Sequence, residues 1–156
     1  IGGKFKRDKS VDKLINLEHE LGLDKAETFY KFDKKIRLVR EKLNKLVCKL
    51  KDQGKTIAGF GAPTKATTLM AHFGLDEKVL DFIVDDNPLK QGLYTPITHI
   101  PILSAEALYE LQPDYVLVLA WNFAEPIMKA HQMYSDKIGK FILPMPVPQI
   151  VEYAPK

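Results

Sequence analysis

Four short segments of this 156-residue chain hold residue types from which a ligand site can be made. They are Gly59-Phe60-Gly61-Ala62-Pro63-Thr64-Lys65, Asp85-Asp86-Asn87-Pro88, Ala120-Trp121-Asn122-Phe123 and Pro144-Met145-Pro146. The first reads as a turn from a strand into a helix. Its glycines allow a tight turn and close approach, and Pro63 suits the first helical turn. Backbone N–H groups at such a helix start can face an anion, and Thr64 and Lys65 add a hydroxyl and a positive charge. Gly59-x-Gly61-x-x-Thr64, with Asp85 some 24 residues on, approaches a dinucleotide fingerprint in which the acid takes a ribose hydroxyl. The third glycine is absent. On spacing alone, phosphate or sugar-nucleotide contact, a ligand-free strand–helix turn and nicotinamide binding all stay open. Trp121 and Tyr94 could stack on a base or sugar, or fill an interior position.

Other chemistry finds little support. His19, His72, His99 and His131 show no metal-ligand spacing with one another or with the single cysteine, Cys48. His19, His72 and His131 fall on predicted helices, where a half-buried or solvated ring is expected. His99 follows Tyr94-Thr95-Pro96, near the predicted binding edge. There is no Gly-x-Ser-x-Gly elbow and no His-Glu-x-x-His pair. Asp85 and Asp86 point to opposite sides of a strand end, so no acid–base pair follows from spacing. We therefore nominate no catalytic residue and no metal ligand.

Composition is ordinary for a globular chain, with 46% hydrophobic and 28% charged residues, and the length suffices for a substantial core. No apolar run approaches the ~20 residues needed to span a bilayer. One cysteine excludes an internal disulfide framework and a cysteine-cluster zinc site. The start carries a lysine-rich stretch, Lys4 to Lys13, rather than a secretory signal, and a cytoplasmic location is expected. The chain opens on Ile1, and Ile1-Gly2-Gly3-Lys4-Phe5 reads like the end of a strand, which leads us to expect a fragment of a larger protein. Residues 1–55 carry 16 Lys and Arg against 9 Asp and Glu; the remainder carries 7 against 11. The basic residues alternate with acids and are not expected to carry exposed aromatics between them, which predicts a solvated helix face rather than a nucleic-acid surface.

The elements that must position these segments follow from periodicity. Ser10 to Leu21 reads as a short helix with Ser10 as its cap and Gly22 as its stop. A stronger helix runs from Lys25 to Gln53, roughly 40 Å long. Its apolar residues Phe29, Phe32, Ile36, Val39, Leu43, Leu46 and Leu50 form one narrow stripe, suited to a coiled-coil seam or a bridge between domains. Beyond Gly54 the period changes. Strands are predicted at Lys55–Gly61, Val79–Asp85, Asp114–Trp121 and Lys140–Met145, with Ile100–Leu103 a short segment. Helices are predicted at Pro63–Phe73, after Ser104 as a cap, and at Asn122–Tyr134. Asn87 to Thr98 is a turn-rich loop, and Pro144 to Pro155 a tail or an interface strand. This alternation calls for right-handed crossovers and a parallel sheet: an α/β, Rossmann-like fold with flanking helices, preceded by a long amphipathic helix. In such sheets ligands bind beyond the C-terminal strand ends, where strand order reverses.

Three longer strings say more than spacing. They are Gly59-Phe-Gly-Ala-Pro-Thr-Lys-Ala-Thr-Thr68, Phe82-Ile-Val-Asp-Asp-Asn-Pro-Leu-Lys-Gln-Gly92 running on through Tyr94-Thr-Pro96 and His99-Ile-Pro101, and Pro113-Asp-Tyr-Val-Leu-Val-Leu-Ala-Trp-Asn-Phe123. Together they resemble the C-terminal domain of S-adenosylmethionine-dependent C-methyltransferases, which methylate a carbon of nucleotide-linked deoxy- or ketosugars for antibiotic or polysaccharide biosynthesis. The resemblance spans about residues 55–151, with 1–54 as a helical segment and 152–156 as a tail. It implies a transferase with a zinc-binding N-terminal piece and an S-adenosylmethionine-binding middle domain, neither matched here. This chain would then be the substrate-side domain, holding no cofactor of its own and lacking the parent's catalytic Tyr/His motif. The ligand-facing set it implies is Gly61, Ala62, Pro63, Lys65, Asn87, Lys90, Tyr94, Thr95, His99, Trp121 and Asn122, with Lys65 and Lys90 meeting a diphosphate. The implied partners are the nucleotide sugar and the upstream S-adenosylmethionine-binding domain, with self-association through the long helix and no nucleic acid or membrane. A nicotinamide-binding oxidoreductase domain and a non-enzymatic interaction module are the alternatives.

Overall fold

The computed structural model describes residues 8–152, so the predicted strand end at Ile1–Phe5 and the last four residues of the tail lie outside it. The chain divides into two compact units, 1–38 and 39–156. In the first, α1 (Lys9–Glu20) is capped by Asp8, whose carboxylate accepts the Ser10 N–H at 2.7 Å; Ser10 is therefore not the cap residue. No residue of α1 is buried. The long helix α2 (Ala26–Asp52) begins in this unit, where Phe29 and Phe32 of its stripe are exposed.

The C-terminal part of α2 belongs to the second unit and buries Leu43, Val47 and Leu50. The apolar stripe is thus core at one end and bare at the other. The chain then folds into one six-stranded sheet: β1 (Ile57–Phe60), β2 (Phe82–Val84), β3 (Ile102–Leu103), β4 (Tyr115–Val118), β5 (Lys140–Leu143) and β6 (Gln149–Val151). Strand order is β3-β2-β1-β4-β5-β6, and the first five strands run parallel. This is the predicted Rossmann-like α/β architecture. Within the stretch expected to be a tail or an interface strand, β6 turns back through the Pro144–Pro148 bend and pairs antiparallel with β5.

The strands are short, and the central β1 and β2 are buried along their whole length. Ala58, Phe60, Phe82, Val84, Val116, Val118 and Phe141 point to one face, against α4 (Ala107–Glu110), α5 (Ala124–Ala130) and α6 (Gln132–Lys137). Their strand neighbours point the other way, where Ile83 shares a cavity with Ala66 and Met70 of α3 (Thr64–Phe73). The helix predicted after Ser104 shrinks to the single turn α4. Ser104 does not cap it; its hydroxyl bonds the Glu106 carboxylate instead. The helix predicted over Asn122–Tyr134 divides into a 3-10 turn (Trp121–Phe123), α5 and α6, with His131 at the break. At the other end of the sheet, Asp81 and Asp114 tie the entry of β1. Asp81 accepts the Ile57 N–H at 2.8 Å and Asp114 accepts the Thr56 N–H at 2.9 Å. Among the described residues, no helix is long and apolar enough to cross a membrane.

Candidate functional site

Strand order reverses between β1 and β4, so the segments leaving these two strands flank the crevice where such folds take ligands. They approach closely. The N–H groups of Leu119 and Ala120 both donate to the Phe60 carbonyl, at 2.9 and 3.2 Å, and the Gly61 N–H donates to Val84 at 2.7 Å. Gly61 has φ +87°, and a Cβ there would stand 2.7 Å from the Ala120 Cβ. Glycine is required twice over, by conformation and by space.

Beside this turn lies Asp85, which spacing suggested only as the ribose acid of a nicotinamide site. It stands at the exit of β2, is 7% exposed, and its carboxylate is fully engaged. It accepts the Ala62 N–H at 2.7 Å, the Asn87 N–H at 2.9 Å and the Lys90 ammonium at 3.0 Å. The Gln91 side-chain amide donates to its backbone carbonyl at 3.0 Å. Burial pushes the carboxyl pKa up. The two backbone N–H bonds and the Lys90 charge outweigh it and hold the group below the usual carboxylate value. Asp85 is therefore a structural anion, not a free acceptor for a ribose hydroxyl, and Lys90 is already ion-paired.

Between α3 and the β2–β3 loop opens a cavity of about 300 Å³. Ala62, Pro63, Thr64, Ala66, Thr67 and Met70 form one wall, Lys90, Leu93, Tyr94, Thr95 and Pro96 the other, and Ile83 and Ile102 the floor. The loop is folded back on β3 by bonds from Gly92 N–H to Ile102 and from Ile102 N–H to Leu93, both 2.8 Å, and by a bridge between Tyr94 and Pro101. Thr95 is buried, and its hydroxyl accepts the Ile100 N–H at 2.9 Å and meets Thr98 Oγ1 at 2.7 Å. At the loop tip Ile97 and His99 adopt positive φ, 70° and 50°. For β-branched Ile97, 72% exposed, this is a strained conformation.

Of the nominated residues, Ala62, Pro63, Lys90, Tyr94 and Thr95 line this cavity. Lys65 does not: its ammonium sits over the Trp121 ring at 4.6 Å and the Phe123 ring at 5.5 Å, spanning the crevice between β1 and β4. No carboxylate lies within ion-pair distance of Lys65 among the described residues. Asn122 shares the 3-10 turn with Trp121 and is exposed. Asn87 caps its own loop, accepting the Leu89 N–H at 3.0 Å, and His99 points outward. The Pro144–Pro146 segment serves the β5–β6 bend, with a cis bond before Pro146, and takes no part in the cavity.

One further pair lies on the opposite face of the sheet. The Tyr109 hydroxyl is 3.0 Å from His131 Nδ1, and the His131 ring rests 5.0 Å from that of Phe60. Burial lowers the His131 pKa, against the opposing charges of Asp86 and Glu106. Among the described residues, no group of three His, Cys, Asp or Glu side chains is placed to hold a metal ion. At the sheet edge the arrangement offers an apolar slot and one cation on an aromatic platform.

Comparison with known proteins agrees with this geometry. Residues 2–146 match the family model described as the C-methyltransferase C-terminal domain. The chain is 36% identical over 142 residues to C-methyltransferase NovU of Streptomyces niveus; the match covers 91% of this chain and 34% of that protein. The chain thus spans about a third of the length of its curated relative.

Proposed function

Because the chain belongs to the C-methyltransferase C-terminal domain family, we propose that it is the substrate-side part of an S-adenosylmethionine-dependent C-methyltransferase. On this reading it holds a nucleotide-linked deoxy- or ketosugar, in the cytoplasm, while the methyl donor is bound elsewhere in the protein. The observation that carries the proposal is the pairing of Lys65 with Trp121 and Phe123 across the β1–β4 crevice, beside an apolar cavity. A cation resting on a half-buried ring such as Trp121 is held by about 0.5–2 kcal/mol, so Lys65 can leave it for a diphosphate. The vacated ring then offers a stacking face.

On this reading the methyl donor is left to the rest of the protein, and the state of Asp85 supports it. The acid at the exit of β2 that would take its ribose is closed by Ala62, Asn87 and Lys90. We therefore assign no catalytic group here. C-methylation next to a ketone removes the α-proton to give an enolate, whose carbon attacks the methyl sulfonium and releases a thioether. The contribution of this domain is positioning, holding one sugar carbon toward the methyl group.

Lys65→Ala tests the reading. Titration of the chain with dTDP-glucose and UDP-glucose should give saturable binding of at least one. Loss of one charge-assisted hydrogen bond, about 1.5–3 kcal/mol, should weaken it ten- to a hundredfold without lowering the melting temperature. Unchanged affinity in the variant, or no binding of either probe by the parent chain, would contradict the proposal.

A further inference from the structure

A glycine turn leaving the first strand of such a sheet ordinarily offers its N–H groups to a phosphate. Here the place is already taken from within the chain. The Ala62 N–H and the Lys90 ammonium converge on the same oxygen of Asp85, at 2.7 and 3.0 Å, while the Asn87 N–H meets the other oxygen at 2.9 Å. One buried carboxylate therefore takes the Ala62 N–H and the Lys90 ammonium, two donors that a phosphate at this turn would use, and it links the two walls of the cavity through them.

We propose that Asp85 is a specificity-determining residue: it excludes phosphate from the glycine turn and reserves the adjoining cavity for an uncharged ring. The proposal rests on reading this edge as the ligand site, and deepens that reading by assigning its parts. Lys90 is the one charged side chain among the cavity-lining residues, and it is neutralised by Asp85. The rest of the lining is largely apolar, with Met70, Ile83, Leu93 and Ile102 prominent, and the hydroxyl of Thr67 the kind of group that orients a ring. About 300 Å³ lies at the small end of known ligand pockets and suits one ring. A phosphate entering beside Asp85 would have to displace that carboxylate from Ala62, Asn87 and Lys90, and would gain no unpaired cation in return. Any diphosphate is thereby directed along the sheet edge to Lys65.

The distinguishing experiment uses inorganic pyrophosphate as probe. Asp85→Asn keeps the size of the side chain but removes its charge and releases Lys90. It should bind pyrophosphate at least tenfold more tightly than the parent chain, and Asp85→Asn/Lys90→Met should return to the parent value. A folded Asp85→Asn chain with unchanged pyrophosphate affinity would overturn the proposal. Should that variant not fold, the parent chain decides. Pyrophosphate should leave the amide resonances of Ala62 and Asn87 unmoved, and a saturable shift at either would overturn the exclusion. Pyrophosphate carries neither base nor sugar, so these answers are obtained even if the chain binds no nucleotide sugar.

Discussion

Replacing Gly61 by alanine tests the close approach on which the crevice depends. The residue stands at φ +87°, a region that costs an L-amino acid about 1–2 kcal/mol, partly offset by the lower entropy of the unfolded alanine chain. Gly54 provides the control, at φ +73° with nothing within 4 Å of the place its methyl would take, so Gly54→Ala should cost about 1 kcal/mol at most. Gly61→Ala adds a collision: its Cβ would lie 2.7 Å from that of Ala120, against roughly 3.5–4.0 Å for relaxed carbon contacts. Relief requires moving the segments tied together at the Phe60 carbonyl, an overpacking cost of about 1–3 kcal/mol. The sum is about 2–4 kcal/mol, a fall in melting temperature on the order of 10 °C for a unit of this size. Calorimetric melts of both variants, of Ala120→Gly and of the double variant Gly61→Ala/Ala120→Gly would measure it. The double variant should recover the collision share, giving a coupling energy of at least about 1 kcal/mol. If Gly61→Ala melts with Gly54→Ala, or shows no coupling to position 120, the crowding argument is wrong.

Three further outcomes follow from the same geometry. Burial depresses the His131 pKa, so the unfolded chain, titrating near pH 6.5, takes up protons that the folded chain refuses. Stability from this group is full above about pH 6.5 and is lost as pH falls through the lower folded value; denaturant melts of His131→Gln should show a flatter pH dependence in that window. Tyr134→Phe removes a buried hydroxyl that donates to the Pro113 carbonyl at 2.7 Å and leaves that carbonyl unsatisfied, a loss of about 1–3 kcal/mol readable in urea denaturation. NAD and NADP should give no thermal stabilisation, because Asp85 is closed by its own partners; a saturable rise of several degrees would restore the oxidoreductase alternative.

The parallel core was legible because its signals are local: apolar runs of strand length, a glycine turn, and helices spaced for crossovers. The antiparallel pairing of β6 was not, since Gln149-Ile150-Val151 is short and follows three prolines within five residues, which left a tail and an interface strand equally open. Ser104 illustrates the limit of a cap signal, because its hydroxyl finds the nearby Glu106 carboxylate in place of a helix N–H. In the site, residue types were readable but not their partners. Lys90 and Lys65 look alike in sequence; one is five residues from the acid that neutralises it, and the other reaches rings more than fifty residues away. The local spacing of Asp85 and Lys90 was visible, whereas the bond to Ala62 depends on β1 lying beside β2. The cavity arises where a loop folded back on β3 by bonds between near neighbours faces α3, and no sequence period marks that meeting.

The central claim is that this domain holds the sugar nucleotide and not the methyl donor. Parallel calorimetric titrations of the chain with dTDP-glucose and with S-adenosylmethionine test it most directly. Saturable heat with the nucleotide sugar and none with S-adenosylmethionine is the result expected. Micromolar binding of S-adenosylmethionine, with no response to the nucleotide sugar, would contradict it.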